Sequence, residues 1–127
     1  MKPQALLPAL ALALVGSAFA AGQHDHAHEH KPMHGGVVVD IKDIDYELVA
    51  KSSLIQLYLR DHGKAVDVSK ANAKITLLTG TEAQEIQLKP AGAKLEATGS
   101  FKVGPGTKAV AVVTGAGKPA TVRFAIK

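Results

Sequence analysis

The 127 residues include 15 Lys and Arg against 11 Asp and Glu, and no cysteine, which leaves no disulfide, no thiolate ligand and no thiol for a lipid. The basic residues are scattered and only 4% of the chain is aromatic, which excludes the basic face and stacking platforms of a nucleic-acid binder. The length suits one domain with flanking segments.

In residues 1–20 the only charge is Lys2, followed by an apolar run from 5 to 15 and then Gly16-Ser17-Ala18-Phe19-Ala20. These are the parts of a secretory signal peptide: a positive start, a short apolar stretch and a small-residue cleavage site. Pro8 interrupts the run, which is shorter than the roughly 20 residues a spanning helix needs. The reading predicts removal after Ala20, no membrane attachment afterwards, and a periplasmic protein. Lys2-Pro3 offers no twin-arginine signal.

Residues 21–36 form the next unit, a His-rich flexible tail, and five of the six histidines fall in it: His24, His26, His28, His30 and His34. Imidazole is the commonest protein ligand for transition metals, and short His-rich tracts read as metal-binding on composition. Asp25 and Glu29 add carboxylate oxygens and Met33 a thioether. In an extended chain the His-x-His-x-His-x-His spacing puts four imidazoles on one edge. Gly22, Pro32, Gly35 and Gly36 argue against a helix here. Fixing backbone costs roughly 1–2 kcal/mol per residue, so ordering ten residues would consume an energy comparable to the roughly 10–16 kcal/mol of a structural zinc site. The expected site is therefore labile, with three or four donors in use at a time, suited to buffering or hand-over. The cofactor expected is a divalent transition metal (copper, zinc, nickel or cobalt, with copper or zinc first).

From residue 37 to 127 apolar residues alternate with polar ones at period two. Val37, Val39 and Ile41 make one strand, and Ile44, Tyr46, Leu48 and Ala50 a second after a tight turn or bulge. Ile55, Leu57 and Leu59 make a third, ending in the turn Asp61-His62-Gly63-Lys64. Short strands follow over residues 65–68, 73–79, 84–89, 95–97, 107–114 and 120–126, with Pro90-Ala91-Gly92, Gly104-Pro105-Gly106 and Gly115-Ala116-Gly117 between them. Strands every ten residues or so, without a helical period, predict an all-β fold: a single antiparallel β-sandwich, Ig-like in architecture. If the first three strands form a meander, His34 and His62 lie at opposite ends, on the order of 17–20 Å apart, and His62 is a solvated turn residue.

The segments His34-Gly35-Gly36-Val37, Asp45-Tyr46-Glu47-Leu48-Val49, Ile55-Gln56-Leu57-Tyr58-Leu59-Arg60-Asp61-His62-Gly63-Lys64 and Gly117-Lys118-Pro119-Ala120-Thr121-Val122-Arg123-Phe124 resemble small exported His-Gly-Gly metal-associated domains. They are similar to the N-terminal domain of some adaptor proteins of cobalt-zinc-cadmium-type resistance-nodulation-division efflux pumps. The resemblance covers residues 34–127 and implies a metal-linked role for His34 and a component of a metal-efflux complex as partner. It leaves Gly35-Gly36 open between a sharp bend into the sheet and a simple hinge. The helical-hairpin and barrel domains of such adaptors have no counterpart here, so the chain resembles the metal-associated module alone.

Enzyme signatures do not emerge: there is no Gly-x-Ser-x-Gly or His-Glu-x-x-His, and Gly104-Pro105-Gly106-Thr107-Lys108 lacks phosphate-loop spacing. The expected function is periplasmic transition-metal binding, as a buffer or chaperone linked to heavy-metal efflux or resistance. The alternative is a non-catalytic β-sandwich interaction module in which the tract has no physiological metal role.

Overall fold

The period-two alternation becomes nine antiparallel strands, with no helix, among the residues described by the computed structural model, 31–127. The expected signal peptide and residues 21–30 lie outside the described residues. In chain order the strands are β1 (Val37–Ile41), β2 (Ile44–Ala50), β3 (Leu54–Asp61), β4 (Lys64–Ala65), β5 (Asn72–Thr79), β6 (Glu82–Ala91), β7 (Lys94–Thr98), β8 (Lys108–Thr114) and β9 (Ala120–Ala125). Their spatial order is β1-β2-β3-β7-β6-β5-β8-β9, with the two-residue β4 paired to β3.

The core is the inward half of each alternation. Leu48, Ile55, Leu57, Ile75, Leu77, Leu88, Leu95 and Val122 are at most 1% exposed and belong to one continuous apolar cluster that Tyr46, Leu59 and Phe124 complete. Burial of these β-branched and leucine side chains is the main force holding the strands face to face.

One strand joins the two layers expected of a sandwich. β6 pairs with β5 over Glu82 to Leu88, then with β7 through Lys89, Pro90 and Ala91. The sheet is thus continuous, and with β9 returning against β1 it curls until nearly barrel-shaped. Pro90, read from the sequence as closing its element, instead lies inside β6. It sits where the β5 ladder has ended, a place where its missing N–H leaves no gap.

The β1–β2 turn is a two-residue hairpin closed by the Ile41–Ile44 pair. Lys42 and Asp43 both adopt positive φ, 51° and 72°, as a type I′ turn requires and as non-glycine residues resist. The double substitution Lys42→Asn, Asp43→Gly is expected to raise stability by about 1 kcal/mol, read from the urea midpoint.

Candidate functional site

On β2 the alternation that buries Tyr46 and Leu48 turns Glu47 to the opposite, outward face of the sheet. On β3 it turns Gln56, Tyr58 and Arg60 to the same face, and the ladder places Glu47 across from Tyr58 and Asp45 across from Arg60. A carboxylate on an outward face would ordinarily be solvated. Glu47 is instead 0% exposed and Arg60 8%, because residues 31–36 fold back over them as a strap.

The strap is held by its backbone. Met33 N–H donates to Glu47 Oε1 at 3.0 Å, while His34 and Gly36 N–H donate to Oε2 at 2.8 and 2.9 Å. Arg60 Nη1 donates to Oε1 at 3.0 Å, and its Nη2 reaches the Lys31 carbonyl at 3.2 Å. A carboxylate has about four acceptor positions, and these four donors fill them. Burial alone would raise the pKa of Glu47. The N–H groups of Met33, Gly36 and His34, with Arg60, outweigh it and hold the carboxyl below its ordinary range.

Each glycine of the His-Gly-Gly motif has its own physical reason. Gly35 takes φ +77° in open space, the left-handed step that lets N–H groups on either side converge on one anion as a backbone nest. Gly36 lies so close to β2 that a Cβ would stand 2.3 Å from the Leu48 carbonyl oxygen. The pair is therefore a bend and a close approach, which resolves the choice between bend and hinge.

With the backbone fixed, the His34 ring lies flat on Tyr58, centroids 3.6 Å apart and planes 9° from parallel. The Tyr58 hydroxyl donates to Gln56 Oε1 at 3.3 Å, and Gln56 Nε2 donates to Glu96 Oε1 at 2.9 Å. Burial, then the charges of Glu47 and Glu96, raise the Tyr58 pKa above that of an ordinary phenol.

Of the donors named from the sequence, His24, Asp25, His26, His28, Glu29 and His30 lie outside the described residues. Met33 is 67% exposed, its backbone pinned by Glu47. Of the two residues assigned to the tail, His34 thus stacks on the body through its ring, and Met33 is tied to it by its backbone alone. Among the described residues no group of three or more His, Asp or Glu could hold one ion. His62, at φ 52° in the β3–β4 turn, is exposed and bonds Asp61 at 2.6 Å through Nδ1. Its solvated setting matches expectation, but folding back sets His34 over Tyr58, within β3, rather than beyond the far end of the meander.

Sequence reasoning missed Glu47, Arg60 and Tyr58. Their signal was present as opposite charges on the outward faces of two adjacent strands, beside the aromatic residue that the ladder sets across from Glu47. No family model, no curated protein and no solved structure matches the chain, so the reading of this site rests on its own geometry.

Proposed function

We propose that this is an exported, non-catalytic protein that binds divalent transition metal ions through His24, His26, His28, His30 and His34, assisted by Asp25, Glu29 and Met33. Copper or zinc comes first, then nickel or cobalt. It acts as a periplasmic buffer or chaperone that takes up an ion and passes it to a heavy-metal efflux component, the partner its His-Gly-Gly resemblance implies. The body, an Ig-like sandwich with β6 shared between its layers, is the scaffold. The observation that carries the reading is the His34 imidazole, set against Tyr58 at 3.6 Å directly after the His tract. An incidental linker has no need of a buried carboxylate spent wholly on fixing its backbone.

A second reading, an interaction module without metal function, draws on the lack of a three-donor group among the described residues. Deleting residues 23–30 separates the two, because it removes the tract and spares the strap. Calorimetry with Cu(II), Zn(II), Ni(II) and Co(II) on the exported chain is expected to give stoichiometric binding that the deletion abolishes. Binding unchanged by the deletion contradicts the role of the tract. The affinity should also weaken as pH falls through about 6.5, where protons compete for imidazole nitrogen.

A further inference from the structure

We infer that residues 31–41 form an arm that two copies of this chain exchange, each copy's strap and β1 seating on the other's β2 and β3 in a domain-swapped dimer. The occupant of the vacated surface is thus a second copy. Metal plays no part in the exchange.

The arm is held by residues that follow the β1–β2 turn. Met33, His34 and Gly36 N–H donate to Glu47, Arg60 donates to the Lys31 carbonyl, and the His34 ring stacks on Tyr58. Val37 to Ile41 pair with Leu48 to Ile44. Among the described residues the β1 ladder runs to β2 alone, so the strand leaves without opening a second ladder. Val37, Val39 and Ile41 pack on the core, and a departed arm would expose them to water, which is unfavourable. An identical arm from another copy restores these contacts.

Only the turn itself does not survive exchange. Lys42 and Asp43 stand at φ 51° and 72°, the left-handed region that a β-carbon disfavours, and closure of the Ile41–Ile44 pair imposes it on them. Opened between two bodies, both residues return to negative φ, and a short strained hinge favours exchange for that reason. Ile41 and Ile44 both pack toward the core, whereas in one straight strand residues three apart would face opposite ways. The opened hinge is therefore a bent bridge. From Ile41 to Ile44 it spans at most roughly 11 Å, which holds the two bodies side by side. A closed arm meets its own body at an effective concentration on the order of millimolar, and without a difference in strain the swapped dimer would dissociate at about that concentration. Relief of strain at two hinges, one per copy, lowers this about thirtyfold.

Residues 21–127 refolded from urea at about 1 mM should contain dimer by size exclusion with light scattering. The double substitution Lys42→Asn, Asp43→Gly, which suits the closed turn, should weaken dimerisation about thirtyfold. A mixture of two variants separates arm exchange from a simple surface contact. Gly36→Ala spoils the arm and Glu47→Ala spoils its seat, so neither variant alone should show the NMR ring-current shift of His34 protons over Tyr58. Refolded together, they form a mixed dimer in which the sound arm of the Glu47→Ala chain seats on the sound Glu47 of the Gly36→Ala chain. The shift should then return. A chain that stays monomeric at about 1 mM overturns the inference, as does a dimer that the Asn-Gly turn leaves equally strong. Folded variants whose mixture lacks a shift that the wild type shows overturn it too, and if either variant fails to fold, the turn comparison decides alone.

Discussion

Replacing Glu47 with alanine is expected to destabilise the fold by about 3 kcal/mol, the lower end of what removing one member of a buried ion pair costs. The substitution leaves Arg60, itself 8% exposed, without its carboxylate, and leaves the N–H groups of Met33, His34 and Gly36 without an acceptor. The cost stays at the lower end because the strap can lift and return Arg60 to water. In a domain of this size it corresponds to a fall in Tm on the order of 15 °C. Urea unfolding of the wild type and the variant measures it, and a difference under about 1 kcal/mol would show that the strap contributes little.

The same carboxylate sets an acid limit. Its folded pKa lies below its unfolded value of about 4.3, so its contribution is complete above that value and is lost as pH falls through the folded pKa. Glu47→Gln should flatten this part of the acid dependence of the urea midpoint.

The second large effect is expected at Gly36. An alanine Cβ would stand 2.3 Å from the Leu48 carbonyl oxygen, 2.8 Å from its carbon and 3.0 Å from Val49 Cγ2. Leu48 is 1% exposed in the core and β2 is paired on both sides, so the strap must yield. Gly36→Ala should cost about 2 kcal/mol or more, since it breaks hydrogen bonds to a buried charged acceptor. Gly35→Ala, with open space but φ +77°, should cost only about 1 kcal/mol. Glu47→Ala and Gly36→Ala abolish the same docked state, so the double variant should fall short of additivity by about 1–2 kcal/mol. Full additivity would mean that the two residues do not share one strap.

The strands were legible because a half-buried antiparallel strand writes its two faces into alternate residues, as Ile55, Leu57 and Leu59 do against Gln56, Tyr58 and Arg60. Turns were legible where Gly63 and Gly92 supply positive φ. Lys42-Asp43 shows that the hairpin register can force the same turn without glycine. Pro90 misled because proline reads as a stop, yet a strand that changes partners tolerates it where one ladder ends. The buried pair was the harder case. Alternation says which face Glu47 points to, but not that residues fourteen positions earlier fold back to cover that face. Such coverage depends on non-local contacts that periodicity does not record. The docking of His34 was not legible, since its stacking depends on Tyr58 lying across the ladder from Glu47.

We propose that the His tract binds metal; the residues that follow it, 31–36, are tied to the all-β body by Glu47 and Arg60. The most direct test is equilibrium dialysis of residues 21–127 against Zn(II) and Cu(II), followed by metal analysis at neutral pH and near pH 5. At least one ion retained per chain at neutral pH, with marked release in acid, is the expected result. A chain that emerges metal-free at neutral pH contradicts it.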